Sequence, residues 1–327
     1  MSENKTWHGE LDFVLRDWAN KTDKKIIISP DVDGLTSACL LASKFDCEII
    51  GTYGTSHALL YDGASTKDAE SALWLDHDVS RPNIRCVGQH LVQHKAEDKL
   101  PLRSKVSWNP NVWQNQSWEK SFAGGAGKKR DKYPLGTAHF MADYVGLEST
   151  IEKNLTALFA HLDGTWFALD LYRPNAEIWI DLMFPKNELI LSILDYRKKT
   201  EFHNSHKKMI ERFILNGIQN SQSRSPKATL LAPELKQLTG KQSIHGRSSQ
   251  KPEVFHEKTK SALNVIKEYV GSAPKIGNVV TKVISGKRQS FYPNRIDNFD
   301  ELMLEENIFS HAFTDLRTLS FTNQIDF

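Results

Sequence analysis

Acidic side chains follow the predicted β-strands at the points where those strands end. Asp31 and Asp33 follow the run KIIIS, and Asp76 follows the run SALWL. His90 comes after the short run RCV, and Asp163 precedes a glycine at the end of a predicted helix. Because the carboxyl ends of parallel strands lie at one edge of a sheet, we expect these five side chains to lie close together.

Four carboxylates and one imidazole form a ligand set that suits Mn²⁺ or Mg²⁺ better than a soft metal. If Asp76 bridged two cations about 3.5–4 Å apart, the pair would activate water and neutralise charge on a phosphoryl group. Each acidic residue alone has an ordinary structural explanation, because Asp caps helices and Asp-Gly is a common turn dipeptide. The prediction of a two-metal centre therefore depends on the ordered set.

The elements that would position these residues alternate between helices and strands. Hydrophobic spacing predicts an amphipathic helix over 7–19, and residues 107–136 are expected to form a loop. The other predicted strands and helices are strands over 25–29, 48–53, 71–75 and 85–87 and helices over 35–44, 137–145, 150–162 and 187–199. This alternation predicts an α/β fold with a parallel sheet.

Composition limits the class of protein. The chain has 327 residues, of which 39% are hydrophobic and 25% charged, so wholesale disorder is excluded. No apolar run approaches the roughly 18 residues of a membrane span, and the start of the chain, MSENKTWHGE, lacks the apolar core of a secretory signal. No two of the three cysteines are spaced as CxxC. So few cysteines, without a pairing pattern, are typical of a protein in a reducing compartment. We therefore expect a cytoplasmic protein without a membrane partner.

Charge is distributed unevenly along the chain. Residues 200–290 hold 16 Lys and Arg against 6 Glu and no Asp, whereas residues 297–327 hold 7 acids against one Arg. A solvated surface is the ordinary explanation of a basic segment, but this excess favours a polyanionic partner such as single-stranded nucleic acid or an oligonucleotide. The acidic tail is expected to fray, or else to dock on a replication or repair protein.

Two domains are expected from these shifts in composition. Residues 1–200 would form a catalytic, metal-binding α/β domain, and residues 201–327 a second, smaller α+β domain that binds substrate. The stretches 220–227 and 240–252 are polar and typical of linkers.

A glycine- and lysine-rich stretch, GGAGKKR, occupies residues 124–130. It lacks the GxxxxGK[ST] pattern of a phosphate-binding P-loop. We interpret it as a basic loop beside the metals, in which Lys128, Lys129 and Arg130 contact the substrate phosphates. Either base stacking or domain packing would explain the nearby tryptophans, Trp108, Trp113 and Trp118.

Several segments, in order, resemble the motifs of the DHH phosphoesterase superfamily. SPDVDGLTSACLLA (29–42) resembles its opening DxDG motif, and CVGQHLV (86–92) stands where the Asp-His-His triplet is expected. Three further matches are ALWLDHD (72–78) with the second motif, SWNPN (107–111) and YPLGTAHFMADYV (133–145) with the asparagine-proline loop and its helix, and ALFAHLDGT (157–165) with the fourth motif. The resemblance covers about residues 25–170 and points to RecJ-like and oligoribonuclease-like members.

This resemblance implies a Mn²⁺- or Mg²⁺-dependent phosphodiesterase that hydrolyses single-stranded or short nucleic acid, as an exonuclease does. Carried over by position, the metal ligands would be Asp31, Asp33, Asp76, His90 and Asp163. Asp76 would bridge the two metals, and His90 would bind metal or contact the scissile phosphate.

The chain departs from the family pattern at two places. The triplet at 88–90 reads GQH, and Ile27 stands where many members have a metal-binding His. The sequence DHD at 76–78 could itself be a degenerate triplet, so Asp78 is a further catalytic candidate. His139, on an apolar helix face, is expected in the core or beside the site as a substrate contact.

Three functions therefore stay open from the sequence. The first is a metal-dependent nuclease. The second is a phosphodiesterase of the same fold for cyclic or linear dinucleotides, and the third is an inactive DHH-like protein that binds nucleic acid or a partner protein.

Overall fold

The computed structural model describes residues 6–54, 57–93, 95, 106–118, 132–147, 153–165, 168–169, 172–195, 204–205, 208–209, 211–212, 252–305, 307–315, 318–323 and 325. The basic loop residues Lys128, Lys129 and Arg130 lie outside the described residues, as does the stretch 220–227 and all but the last residue of 240–252. The described residues form a mixed α/β fold with a large, mostly parallel sheet and a separate three-stranded antiparallel sheet, which confirms the predicted fold class in its coarse form.

The large sheet has eight strands in the order β6-β5-β4-β1-β2-β3-β8, with β7 beside β2. Their bounds are β1 (Lys24–Ile28), β2 (Cys47–Tyr53), β3 (His57–Tyr61), β4 (Leu73–Leu75), β5 (Arg85–Val87), β6 (Ser107–Trp108), β7 (Lys275–Ile276) and β8 (Val280–Ser285). Pairing is parallel from β6 to β2, and β3 pairs antiparallel with both β2 and β8. Since the chain passes from β1 to β2 on one side and later to β4 on the other, the strand order reverses between β1 and β4.

The helices of the described residues are α1 (Trp7–Ala19), α2 (Val32–Lys44), α3 (Thr66–Ser71), α4 (Pro110–Trp113), α5 (Thr137–Val145), α6 (Lys153–His161), α7 (Arg173–Met183), α8 (Glu188–Ile193), α9 (Pro252–Val270) and α10 (Phe299–Glu305). The predicted helices 7–19 and 137–145 are confirmed with those bounds. The second helix begins at Val32 rather than at residue 35, because the side chain of Asp31 caps it.

The central strand β1 is buried on both faces, as its apolar sequence predicts. Ile26 and Ile28 pack into one core cluster and Ile27 into another, and all three have no exposed surface. Alternate residues of a strand point to opposite faces, so these isoleucines fill both layers around the sheet. The end of β1 is therefore fixed from both sides, which fixes the acidic segment that follows it.

The antiparallel sheet consists of β9 (Lys287–Phe291), β10 (Ile308–Asp315) and β11 (Thr318–Asn323), in the order β10-β11-β9. It packs against the segment after β4, where the Ser80 amide donates a 2.6 Å hydrogen bond to the carbonyl oxygen of Phe309. The second half of the chain also supplies β7 and β8 to the large sheet. The proposed domain boundary at residue 200 stays a prediction.

The acidic tail packs into the protein as far as it is described. Ile325 is 2% exposed and belongs to the core cluster that contains Ile284 and Phe309. The expectation of a frayed tail is therefore wrong for Ile325, because its apolar side chain completes this cluster.

In the described part of the chain, no helix combines the length and apolarity needed to cross a membrane.

Candidate functional site: an acidic crevice at the edge of the sheet

An acidic crevice lies where the strand order of the large sheet reverses. Asp31 follows β1 and Asp76 follows β4, and these two strands are parallel neighbours. In open α/β sheets, ligands bind in the crevice outside the carboxyl ends of the strands at such a reversal. The fold therefore brings both acids to the position where the strand-end pattern predicts a site.

Asp31 and Asp76 share one hydroxyl group. Ser29 Oγ lies 2.8 Å from Asp31 Oδ1 and 2.5 Å from Asp76 Oδ2. A hydroxyl carries one hydrogen, so Ser29 donates to one carboxylate at a time. The second contact brings two oxygen atoms together without that hydrogen, so it is favourable only when one of the carboxyl groups is protonated.

Asp76 adopts a backbone conformation that non-glycine residues rarely use. Its φ is 61°, in the left-handed region, and φ of Asp163 is 45°. The Asp76 side chain is buried and accepts a 2.7 Å hydrogen bond from the hydroxyl of Thr137. Such strain persists where surrounding contacts fix the residue, and it is concentrated at functional sites.

Asp33 is buried against the start of α5. Its two carboxylate oxygens accept backbone hydrogen bonds from Thr137 (2.7 Å) and Ala138 (2.9 Å). A Cβ atom on Gly136 would lie 2.6 Å from each of these oxygens, so only glycine allows this approach. Burial, followed by the charges of Asp76, Asp163 and Asp31, raises the pKa of Asp33 well above its usual range.

His90 and Gln89 connect the two sides of the crevice. His90 Nε2 lies 3.6 Å from Asp76 Oδ1, and the side-chain amide of Gln89 donates a 3.0 Å hydrogen bond to Asp163 Oδ2. Burial lowers the pKa of His90, but the contact with Asp76 and the neighbouring charges outweigh this effect and raise the pKa to about 9. His90 therefore carries a positive charge at neutral pH in this acidic surrounding.

Asp78 holds the backbone that carries His90. Its Oδ2 accepts hydrogen bonds from the amides of His90 (2.8 Å) and Leu91 (3.0 Å), and its Oδ1 accepts one from the Asn109 side chain (2.8 Å). Asp78 is buried, so these bonds compensate for its lost hydration. Asp78 thus positions the His90 backbone, and the catalytic role predicted for it from the sequence stays a prediction.

His77 and His139 point into the core. His77 packs against the rings of Tyr53 and Trp74, and burial lowers its pKa to about 4. His139 has no exposed surface, and its ring nitrogens lie 3.1 Å from the Gly136 amide and 3.0 Å from the Phe159 carbonyl oxygen. These contacts fix the start of α5 and agree with the predicted core position of His139, whereas the predicted substrate contact stays a prediction.

The tryptophans near the site have different environments. Trp108 is 2% exposed and packs against Phe140 and Trp7, so packing explains this residue. Trp113 and Trp118 are partly buried against core clusters. Base stacking by Trp108 is therefore excluded in this structure.

The acidic crevice offers oxygen ligands, but no metal cage is already formed. In the described residues, no three His, Cys, Asp or Glu side chains are arranged to hold a metal ion as they stand. The donor set nevertheless fits a hard divalent cation, because each carboxylate oxygen has two lone pairs and each oxygen of Asp33 uses one of them for a backbone hydrogen bond. Asp31 and Asp163 are exposed at the mouth, whereas Asp33 and Asp76 are buried at the base.

In the presence of chelator, the free energy of unfolding of the protein is expected to fall as the pH rises. The pKa of Asp33 is raised, so its ionisation above the unfolded value near 3.8 is a cost to the folded state. The positive charge of His90 stabilises the fold, and this stabilisation is complete below pH 6.5, the usual pKa of His. It is lost as the pH rises through about 9, the pKa of His90 in the folded protein. Since the His90 side chain is 37% exposed, we expect the free energy of unfolding to drop by only about 1–2 kcal/mol between pH 6 and 9.

Urea titration at several pH values in chelator measures this effect. The slope should become smaller in a His90→Gln, Asp33→Asn double variant, because two of the groups with raised pKa values are then absent. A stability that stays constant or increases over this range in the unaltered chain would contradict the charge arrangement described above.

Sequence patterns do not identify several residues that shape the crevice. Ser29, Thr137 and Gln89 hold three of the carboxylates through side-chain hydrogen bonds. The signals were weak: a serine before Pro-Asp, a threonine at a helix start, and a glutamine directly before His90.

Comparisons with protein-family models, curated proteins and solved structures find no match to this chain.

Proposed function

We propose that this chain is a divalent-metal-dependent phosphodiesterase of the DHH type that acts on single-stranded or short nucleic acid. The observation that carries the proposal is the acidic crevice itself. Its buried base holds Asp33 and Asp76, and burial together with mutual repulsion raises the pKa of Asp33. Protein sites with a strongly perturbed carboxylate and specific charged partners are frequently catalytic.

The ligands in this proposal are the four carboxylates of the crevice. A bound pair of Mn²⁺ or Mg²⁺ ions would supply activation of water and neutralisation of charge at phosphorus. Asp31, Asp33, Asp76 and Asp163 would hold the ions. The hydroxyls of Ser29 and Thr137 hold Asp76 in place, so its orientation is fixed before substrate binds.

His90 contacts the scissile phosphate in this proposal. A protonated imidazole has no free lone pair for a metal but donates hydrogen bonds to anionic oxygens. The pKa of about 9 keeps His90 in that state at neutral pH. Asp78 supports this role by fixing the His90 backbone, and Leu91 and Val92 pack against the second sheet directly afterwards.

Hydrolysis of end-labelled single-stranded DNA and RNA tests the proposal. We expect products with Mn²⁺ or Mg²⁺ and none with chelator. Asp33→Ala and Asp33→Asn should each reduce the rate by about 10³-fold, because several kcal/mol of charge stabilisation is lost. The label that shortens first gives the polarity of cleavage.

Asp23→Ala is the matched control. It makes the same chemical change at a carboxylate that is 70% exposed and paired only with Lys25 at 3.4 Å. The rate should stay unchanged, and an Asp33 variant that retains full activity would refute the site assignment. Cleavage of a cyclic or linear dinucleotide alone would place the substrate among small nucleotides.

One observation favours a second candidate, an inactive protein that binds nucleic acid. The described side chains form no ready metal group, and the triplet at 88–90 reads GQH. For this candidate, binding of oligonucleotides would occur without turnover under any of the metal conditions.

A further inference from the structure

An exposed strip of cations and aromatic rings runs along β9 and the residues that follow it. Residues 275–296, which include β7, β8 and β9, contain no Asp or Glu but five basic residues, Lys275, Lys282, Lys287, Arg288 and Arg295. The last three of these belong to the strip. Tyr292 is 55% exposed and Phe291 37% exposed. The guanidinium carbon of Arg295 lies 5.0 Å from the centre of the Tyr292 ring.

The two faces of β9 have different surroundings. Gln289 pairs with Phe321 and Phe291 with Leu319, and both partners belong to the buried cluster under α10. Alternation along a strand places Arg288, Ser290 and Tyr292 on the opposite face. Arg288 and Tyr292, the most exposed aromatic residue of the strip, therefore share a face that α10 does not cover.

This face begins close to the acidic crevice. Arg288 pairs across the antiparallel sheet with Thr322, and Thr322 pairs with Ser310. The Ser310 hydroxyl lies 2.6 Å from the hydroxyl of Tyr53, the last residue of β2. The Tyr53 ring packs against His77 at 5.1 Å, and His77 follows Asp76. From Arg288 to Tyr292 an extended chain covers about 13 Å.

We propose that Arg288, Tyr292 and Arg295 bind the single-stranded nucleic-acid substrate outside the crevice, with a base stacked on Tyr292 and phosphates paired with the two arginines. This inference rests on the proposed function, which assigns the crevice to phosphodiester cleavage. Aromatic stacking with basic flanks is the usual way in which single strands are held without sequence preference. The absence of acids over residues 275–296 gives the complementary charge.

Phe13 and Arg16 on α1 form a pair of ring and arginine similar to Tyr292 and Arg295, but their charged neighbours differ. Phe13 is 56% exposed, and Arg16 lies 5.5 Å from the centre of its ring. That helix also carries three acids, Glu10, Asp12 and Asp17. The local geometry matches Tyr292 and Arg295, but the local charge repels phosphate.

Fluorescence anisotropy with a labelled single-stranded thymidine oligonucleotide of about 12 nucleotides, in chelator and with the full chain, tests the surface. Tyr292→Ala should weaken binding by about tenfold and Tyr292→Phe by much less, because the ring provides the stacking. Arg295→Ala should lower the slope of log affinity against log salt by about 0.7. Phe13→Ala and Arg16→Ala should bind as the unaltered chain does.

The same variants, assayed for Mn²⁺-dependent hydrolysis, separate the two proposals. If Tyr292→Ala and Arg295→Ala bind normally while hydrolysis is intact, this surface assignment is refuted and the phosphodiesterase stands. If the two variants lose binding and neither they nor the unaltered chain hydrolyse any substrate, the binding surface is supported and the phosphodiesterase proposal is refuted. Displacement of the oligonucleotide by polyglutamate at equal charge concentration would overturn the nucleic-acid assignment in favour of an acidic peptide.

Discussion

Gly136→Ala is expected to lower hydrolysis by about 10²-fold, because it displaces a buried carboxylate of the crevice. An added Cβ would lie 2.6 Å from both oxygens of Asp33. Asp33 would then lose its hydrogen bonds to the amides of Thr137 and Ala138, and its position relative to Asp76 would change. Steady-state rates with Mn²⁺, together with urea unfolding, measure the effect, and overpacking should cost about 1–3 kcal/mol.

Gly9→Ala provides the control for this prediction. A Cβ on Gly9 would meet only Thr6 Oγ1, at an ordinary distance of 3.5 Å. Activity should not change, and stability should equal that of the original chain or exceed it by up to about 1 kcal/mol. Full activity in Gly136→Ala would mean that the position of Asp33 is irrelevant to turnover.

Asp76→Asn is expected to slow hydrolysis strongly and, in chelator, to stabilise the fold. An amide oxygen still accepts hydrogen bonds from Ser29 and Thr137, and Asn tolerates the left-handed backbone at φ 61°. Burial is the main reason why the pKa values of Asp31 and Asp33 are raised, and the charge of Asp76, which raises both further, would be gone. We expect a rate loss of about 10³-fold and a gain of about 1 kcal/mol in the free energy of unfolding.

Asp62→Asn tests whether this gain is specific to the crevice. Asp62 also has a left-handed backbone, with φ 47°, but hydrogen bonds from the amides of Asn278 and Val279 lower its pKa. Removing its charge should reduce stability and leave hydrolysis unchanged. A loss of stability in both variants, or retained activity in Asp76→Asn, would show that Asp76 has a structural role alone.

Strand and helix positions near the crevice could be predicted where local patterns are strong. The run of isoleucines gives β1, and hydrophobic spacing gives α1 and α5 with their observed bounds. The strand β3 was missed because its sequence, HALLY, has neither polar alternation nor the β-branched residues that indicate β1. The helix α7 was missed as well.

Residues 107–136 show how composition concealed a local signal. The segment is rich in Gly, Asn, Trp and Pro and was predicted to be a loop, yet it contains β6 and α4. Asn109 caps α4 through its side chain, and Pro110 occupies the first helical turn. Both are ordinary signals of a helix start, but the helix has only four residues, too few for periodicity to appear.

The sequence by itself determined which acids come together. The end of a strand and the residues after it can be recognised locally, and the carboxyl ends of parallel strands lie at the same edge of the sheet. Asp31 and Asp76 meet there as expected. It also indicated Asp163 and His90, whose charges interact in the structure.

Only the tertiary structure decided what each side chain does within the crevice. Thr137 reaches Asp33 across 104 residues of chain, and Asn109 reaches Asp78 across 31. These partners fix Asp33 at the base of the crevice and direct Asp78 to the His90 backbone instead. Hydrogen-bond partners of buried carboxylates come from distant segments, so neighbouring sequence cannot distinguish a candidate ligand from a positioning residue.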